Sequence, residues 1–538
     1  MAEMSLIQLA CDYLVVGAGA ASIAFIDTLL TEHPTTNIVL VDRNPVPGGH
    51  WVNAYGYVRL HQPSLVYGVA SRQLEGNWLR LLLGKFTLPW NHRASKDEIL
   101  EYYAAYIRDK VATGRVRYFP NSQYSFDARE EDDGDGGGER RLHCFSSMDG
   151  SRYSVEVGIK LINGVLGECI IPSLSPVDFH VDDGVRVVTP NQIFDVHHRL
   201  DVEKTRRYVV LGCGKTAMDT VVYLQREMNV VPNRISWIIP NDVWMLQRGM
   251  GSPWSWHEAL LEHGNDEREA CMSLERRGVF VRLDPDVIPT KFRFPVVGKD
   301  ELALMRLVTD RIRGGRVTSI TRQLDTGRIV VAFGSDRDTW TPDRTIDSAD
   351  LIFVHCTSPG PFNGNENVDL FASEHQLNLN LLFPPPVPLS MSVLAYLEAA
   401  RISDSLDMSF ARQLFQASKT ETLDEQASYT ESCETISDNE VLRRLISATD
   451  LSQGNAVKPF QIMLNLGMFL AIGNKDPIVV YKFLKQNRLS FLSIPGSKVG
   501  VYEAFGLLME QAETFVLAPN EIRLMKLLRE RLRVLEGK

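Results

Sequence analysis

The chain shows no basic excess, no closely spaced cysteines and no long unbroken apolar run. Its 538 residues carry 57 Lys+Arg against 67 Asp+Glu, a formal net charge of −10. Duplex binding leaves a basic footprint, so nucleic acid is not expected as a partner. The 7 cysteines fall at 11, 144, 169, 213, 271, 356 and 433, with no C-x-x-C and no Cys/His pair at zinc spacing. A neighbouring dithiol is thereby excluded and no metal is expected; His197-His198 and the other histidines have no ligand spacing either. An odd, scattered set of cysteines fits a reducing compartment. The opening residues lack the basic stretch of a secretory signal. Residues 460–472, the most apolar late stretch, include Gln461 and Asn465 and fall short of the ~20 residues that cross a bilayer. The expectation is a soluble, cytoplasmic protein with no membrane span.

What is present is an ordinary globular composition, 44% hydrophobic and 23% charged, which rules out disorder as the default. At about 150 residues per domain the length suggests three or so units. The short apolar run Tyr13-Leu14-Val15-Val16 reads as a buried parallel strand. It meets a glycine turn, then a helical stretch with Ile23, Phe25, Ile26, Leu29 and Leu30, then a second strand at 38–41 that ends on Asp42. Ser95 and Glu98 form a capping box before a helix carrying Ile99, Tyr103, Ile107 and Val111 and stopping at Gly114. Residues 129–141 are polar and glycine-rich, a loop with no capacity to form a core. A second strand, turn and helix occupy 208–228, with a further strand at 235–239. Alternation around Asp325-Thr326-Gly327 reads as a β-hairpin over 316–333. Residues 351–354 are another buried strand. Residues 417–437 read as an acidic linker, and the pattern from Asn439 onward is helical, ending with Ile522, Met525, Leu528, Leu532 and Leu535 on one face.

Two turns carry the chemistry. In the first, Gly17 permits a tight turn, Ala18 follows it, and Gly19 lets backbone approach a pyrophosphate at a helix N-terminus. Ala20 and Ala21 open the helix, and Ser22 is small enough for close helix–strand packing. Asp42 lies 25 residues after Gly17, at a strand end where a carboxylate holds a ribose hydroxyl. The second turn, Gly212-Cys213-Gly214-Lys215-Thr216-Ala217, begins 195 residues after the first. Lys215 and Thr216 place polar donors where a phosphate would sit, although a packed βα turn also accounts for the glycines. Two such units in one chain suggest two dinucleotides, with hydride passing from a nicotinamide to a tightly held flavin.

With Asp42-Arg43 and Pro47-Gly48-Gly49-His50-Trp51 added, the sequence resembles flavin-containing and Baeyer–Villiger monooxygenases, in which a G-G-x-W element wraps the FAD. The resemblance covers roughly residues 10–365 and includes a late Cys356-Thr357-Ser358-Pro359-Gly360 element similar to their A-T-G segment. It implies an α/β fold: two Rossmann-like units, a split FAD domain with an inserted NAD(P)H domain, followed by a helical region. The expected boundaries are 1–200 and 335–400 for the FAD parts, 201–334 for the NAD(P)H part and 401–538 for the helices.

The segment from Ala54 to Ser64 stands where Baeyer–Villiger enzymes carry Y-P-G-A-R-C-D against the flavin. Arg59 matches their arginine, and His61 falls where they have aspartate. The resemblance makes these two the candidate catalytic residues: Arg59 to stabilise developing negative charge, His61 to move a proton near neutral pH. Loop hydrogen bonding alone is the competing role. Gln62 joins Arg43, Gly49, His50, Trp51, Arg59 and His61 as implied FAD contacts. The region where the fingerprint F-x-G-x-x-x-H-x-x-x-[YW] would stand reads Phe179-His180-Val181-Asp182-Asp183-Gly184, which marks a divergent branch. The strand at 235–239 runs into Pro240-Asn241-Asp242 with no arginine at the turn. Asp242 would suit NADH, Lys215 or Arg248 NADPH, and the resemblance favours NADPH. Trp244 to Trp256 is either packing or a cleft lining.

The expected activity is therefore NAD(P)H-dependent flavin oxygenation of a small molecule with O2. A reductase without oxygenation and a non-catalytic FAD-binding interaction protein are the alternatives. The C-terminal helices are the candidate surface for homo-oligomers.

Overall fold

Two sheets, one mixed and one parallel, position everything that follows. The structure, a computed structural model, describes residues 6–74, 92–126, 141–165, 171–174, 176–193, 207–249, 255, 259, 262–263, 266–334, 339–343, 350–358, 368–382, 387–419, 437–446, 459–475 and 477–487, together with 524, 526–528 and 530.

In the first sheet Leu6–Val16 is central. It pairs in parallel with Ile38–Val41 on one side and Arg152–Asn163 on the other, with a register shift between Cys11 and Tyr13. Val116–Phe119 extends one edge in parallel, and the antiparallel strands Arg141–Ser147 and Ser122–Tyr124 extend the other. Tyr13 and Val15 pack under the helix Ala20–Glu32, whereas Leu14 and Val16 pack against Phe145 and Val155 on the opposite face. Burial on both faces explains why Tyr13 to Val16 read as a continuous apolar run rather than an alternating one. The capping box is formed: Ser95 Oγ accepts from Glu98 N, and Ser95 N donates to Glu98 Oε2 at 2.8 Å, opening the helix Lys96–Ala112.

The second sheet is wholly parallel, in the order Val187–Val188, Leu351–His355, Arg207–Leu211, Ile235–Ile238, Arg311–Ile312. The expected boundaries shift accordingly. Leu351–His355, placed by the sequence with the second FAD part, pairs with Arg207–Leu211, and Val187–Val188 joins the same sheet ahead of residue 201. Among the described residues the chain next joins the first sheet at Gln376–Asn378, beside Arg152–Asn163. The reason is topological: short apolar strands carry no mark of which sheet they complete. The hairpin is as expected, Val317–Arg322 against Ile329–Phe333, with Gly327 at φ +66° in its turn.

Helix Val387–Ile402 lies along Ala20–Glu32, and the helices Asp438–Leu445, Pro459–Ile472 and Pro477–Gln486 add Val441, Leu442, Phe469 and Leu484 to the same core. The helical region thus closes the first unit's own hydrophobic core. Leu528 is buried in it, while Ile522, Met525, Leu532 and Leu535 lie outside the described residues. So do His197-His198, Pro359-Gly360, most of 417–437, and the 129–141 loop apart from Arg141. Among the described residues no helix is long and apolar enough to cross a membrane.

Candidate dinucleotide sites and the loop between them

The two glycine turns repeat one another in backbone detail. Gly17 N donates to Val41 O at 2.8 Å and Asp42 N to Phe119 O at 3.0 Å. In the second unit Gly212 N donates to Ile238 O at 3.0 Å and Ile239 N to Ile312 O at 2.8 Å. Gly19 and Gly214 are the helix N-caps, both extended, with ψ of 177°. Gly17 and Gly212 both have left-handed φ, +92° and +114°. A Cβ on Gly17 would meet Val165 Cγ1 at 2.8 Å, and one on Gly212 would meet Thr357 Cγ2 at 3.1 Å, so the first glycine of each turn serves conformation and packing. Ser22 and Ala217, the third small positions, are buried. Gly164 makes room for Ser22: a Cβ there would stand 1.9 Å from Ser22 Oγ.

The match fixes a difference. Ile239, 1% exposed, stands where the first unit has Asp42. Asp42 is buried, and its carboxylate accepts from Ala18 N and, at 2.6 Å, from Asn44 N. Burial raises its pKa, and those donors oppose the shift. Asp242, three residues past Ile239, is taken by Arg313, which grips it through Nε at 2.8 Å and Nη2 at 3.1 Å and also reaches Asp284 at 3.1 Å. An arginine therefore does stand beside this strand end. It directly follows the neighbouring strand Arg311–Ile312, 71 residues beyond Asp242.

The first turn has the shape of a phosphate cradle. Gly19, Ala20 and Ala21 are its partly exposed residues, rimmed by buried ones. The Gly48-Gly49 element folds over it: Gly48 N donates to Ala18 O at 2.8 Å, and a Cβ on Gly49 would be 2.8 Å from Gly19 Cα. Trp51 is turned into the core, its Nε1 donating to Tyr67 OH at 2.7 Å, so it anchors the loop and does not present its ring to the cradle. His50 and Arg43 are exposed. At the second turn no described residue lies within 4 Å of a Cβ built on Gly214, and Thr216 is half-buried beside it.

The loop from Ala54 to Ser64 joins the two units. Tyr55 OH donates to Asp219 Oδ2 at 2.9 Å, and Tyr57 OH lies 2.8 Å from Thr220 Oγ1. The Tyr57 ring stacks on Tyr223 at 4.0 Å, with 10° between planes. Asp219, Thr220 and Tyr223 all lie on the helix Lys215–Arg226. Further along, His61 O accepts from Arg248 Nε at 3.3 Å. Glu301, nearly buried, is clamped by Arg93 at 2.7 Å, Arg248 at 2.9 Å and Gly298 N at 2.8 Å. Lys215, the Gly298 amide, Arg248 and Arg93 overcome burial and hold its carboxyl down at about 2.

Arg59 is exposed, with Nη1 donating to Arg93 O at 3.3 Å. Burial, reinforced by Lys215 and Arg248, pushes the His61 pKa well below 6.5, with Glu301 opposing. Gln62 is half-buried in the same loop. Neither Lys215, paired with Asp219, nor Arg248, paired with Glu301, is an uncommitted cation. Trp244 is core, packed 6.0 Å from Phe280, which settles that position as packing; Trp254 and Trp256 lie outside the described residues.

No family model matches the chain. Uncharacterized proteins of Mycobacterium bovis and of two Mycobacterium tuberculosis strains are each 34% identical to it over 361 residues, 65% of this chain. The chain spans about 60% of the length of these curated relatives. Among solved structures, the ornithine N-hydroxylase of Kutzneria sp. 744 is 14% identical with a TM-score of 0.42, over 65% of this chain and 81% of that one. An open cyclohexanone monooxygenase is 14% identical with a TM-score of 0.45, over 80% and 93%. The S-allyl-L-cysteine S-oxygenase of Allium sativum is 13% identical with a TM-score of 0.43, over 95% and 99%.

Proposed function

We propose that this chain is an oxidoreductase that holds FAD on the first glycine turn and NADPH or NADH on the second, and that it transfers one oxygen atom of O2 to a small organic substrate. The observation that carries the reading is the repeated turn geometry, with one loop bonded across both units. Gly19 and Gly49 leave a cradle that side chains would fill, and Asp42 stands at the strand end with lone pairs left for a ribose. These residues fit an FAD pyrophosphate and ribose. Lys215, Thr216 and the bare N-terminus after Gly214 fit a second pyrophosphate. Bound FAD would supply hydride acceptance from the nicotinamide and activation of O2. The chain's own residues bind and orient: the glycine turns seat the phosphates, Tyr55 and Tyr57 fix the distance between the units, and Arg59 offers a permanent positive charge at the loop. The oxygenation step rests on the G-G-x-W and Tyr55–Gln62 resemblance. A reductase without oxygenation is the second reading, favoured by the sequence at 179–184, where the monooxygenase fingerprint is missing.

The test is a visible spectrum of purified protein, anaerobic addition of NADPH or NADH, then admission of oxygen with a ketone or thioether present. Yellow protein that bleaches with either dinucleotide and returns with an oxygenated product supports the proposal. Bleaching and recovery with no product supports the reductase. Colourless protein that takes up no FAD overturns both.

A further inference from the structure

Lys215 breaks a local rule of helix electrostatics. It is the first residue of the helix Lys215–Arg226, where the macrodipole is positive, and no acidic residue shares that first turn. A cation there is unfavourable, and Lys preceding Asp at i,i+4 is the weaker order of such a pair. The pair with Asp219 is nonetheless made, with side chains only 12% and 15% exposed. A misplaced cation at a functional turn is the kind of local conflict that an incoming anion relieves.

Asp219 divides its carboxylate. Oδ1 takes Lys215, and Oδ2 accepts from Tyr55 OH at 2.9 Å. Tyr55 comes from the loop across the unit boundary and cannot drift, because Tyr57 next to it is stacked on Tyr223 and bonded to Thr220. Burial and the facing Asp219 push the Tyr55 phenol well above 10, so it stays protonated and donates. That donation draws charge on Asp219 away from Lys215.

We propose that Asp219 competes with dinucleotide phosphate for Lys215, and that Tyr55 weakens this competition from the flavin-side loop. The proposal rests on the second turn being a dinucleotide site. Asp219 then acts as a positioning residue whose effect is negative: it limits affinity and so favours release. Tyr55 ties that limit to the placement of the Ala54–Ser64 loop.

The test is calorimetric binding of NADP+ and of NAD+ to the flavin-loaded full chain, with thermal unfolding of every variant. Lys215→Met should weaken binding by about tenfold or more, the loss of a charge-assisted phosphate contact. Asp219→Asn should tighten binding several-fold, and Tyr55→Phe should weaken it. In the Asp219→Asn background Tyr55→Phe should have no further effect, because the two act through one carboxylate. Lys215→Met/Asp219→Asn should bind no better than Lys215→Met alone. A merely structural role lowers melting temperature and moves all affinities the same way. Unchanged or weaker binding by a folded Asp219→Asn protein overturns the competition, as does an equal Tyr55→Phe effect in both backgrounds. Wild-type chain that binds neither dinucleotide overturns the reading of the turn itself, a result distinct from bound dinucleotide with insensitive variants.

Discussion

Gly49 packs on Gly19 so closely that a Cβ on Gly49 would stand 2.8 Å from the Gly19 Cα, and Gly49 itself holds φ at +58°. Both constraints fall on one residue of the loop that covers the first turn. Gly49→Ala should therefore be strained in two ways, destabilising by about 1–2 kcal/mol and opening the cradle. Gly19 differs: a Cβ there meets only Gly49 Cα, at an ordinary 3.6 Å. Gly19→Asp should fold yet obstruct a pyrophosphate. Flavin content per folded protein, by absorbance after gel filtration, should fall partly for Gly49→Ala and almost wholly for Gly19→Asp. Full FAD occupancy in a folded Gly19→Asp protein would contradict the site.

The second turn allows a cleaner separation. Among the described residues nothing lies within 4 Å of a Cβ on Gly214, and its φ of −76° suits any residue. Gly214→Val should leave the melting temperature nearly unchanged, flavin content intact, and flavin reduction by NADPH or NADH slowed at least about tenfold, the scale of losing one backbone approach to phosphate. Stopped-flow reduction under anaerobic conditions measures it. Loss of FAD with normal reduction of the remainder would mean the two turns do not divide their ligands.

These turns, the capping box at Ser95 and the hairpin at Gly327 were legible because their signals are local, set by residues within a few positions of each other. The joint between the units was not. Glu301 meets Arg93 across 208 residues of sequence, and Tyr55 meets Asp219 across 164. Tyr55 and Tyr57 lie in a segment whose resemblance points toward a flavin, but nothing local reports the helix they also touch. Asp242 is likewise the acid that follows the second strand end in sequence. Only the backbone pairing with Ile312 shows that Ile239 occupies that place.

His61 gives a prediction opposite in sign to the one its sequence suggests. Its folded pKa lies below 6.5, so at neutral pH the ring is already uncharged. His61→Ala should leave the pH profile of flavin reoxidation unchanged between about pH 6.5 and 8. The linkage falls on stability instead. As pH drops below 6.5 the unfolded chain takes the proton first, so the folded state loses stability until pH passes the lower folded value. Urea midpoints for wild type should fall through that window, and more steeply than those for His61→Ala. Arg59→Ala removes an exposed group and should alter stability by less than about 0.5 kcal/mol. Slower reoxidation by oxygen in that variant would then report its charge. A neutral-pH break in reoxidation that vanishes with His61→Ala would restore the proton-moving role.

The buried network under the helix Val387–Ile402 gives the last prediction. Glu398, with no exposed side-chain surface, accepts from Lys160 at 2.7 Å, from Tyr13 OH at 2.9 Å and from Arg401 at 2.6 and 3.0 Å. These residues tie the helix to the two central strands of the first sheet. Burial alone would raise the Glu398 pKa; Arg401 and Lys160 outweigh it and hold the carboxyl down at about 2, below its ordinary 4.5. Burial also pulls the Lys160 ammonium below its usual value, and the facing Glu398 opposes that shift. Because the folded pKa is depressed, the stabilisation is fully present above about 4.5 and is lost as pH falls toward 2; a difference of that size is worth roughly 3 kcal/mol. Glu398→Gln leaves Lys160 buried without its counter-charge and should destabilise by about 3–5 kcal/mol at pH 7. Its stability should also fall less between pH 4.5 and 2 than that of wild type. Lys160→Met/Glu398→Leu removes both charges, and Arg401, 29% exposed, can turn to solvent, so much of the loss should be recovered. Chemical denaturation at pH 7 and pH 3 distinguishes these outcomes. A Glu398→Gln protein as stable as wild type at pH 7, or with the same acid dependence, would show that the network does not hold this helix to the sheet.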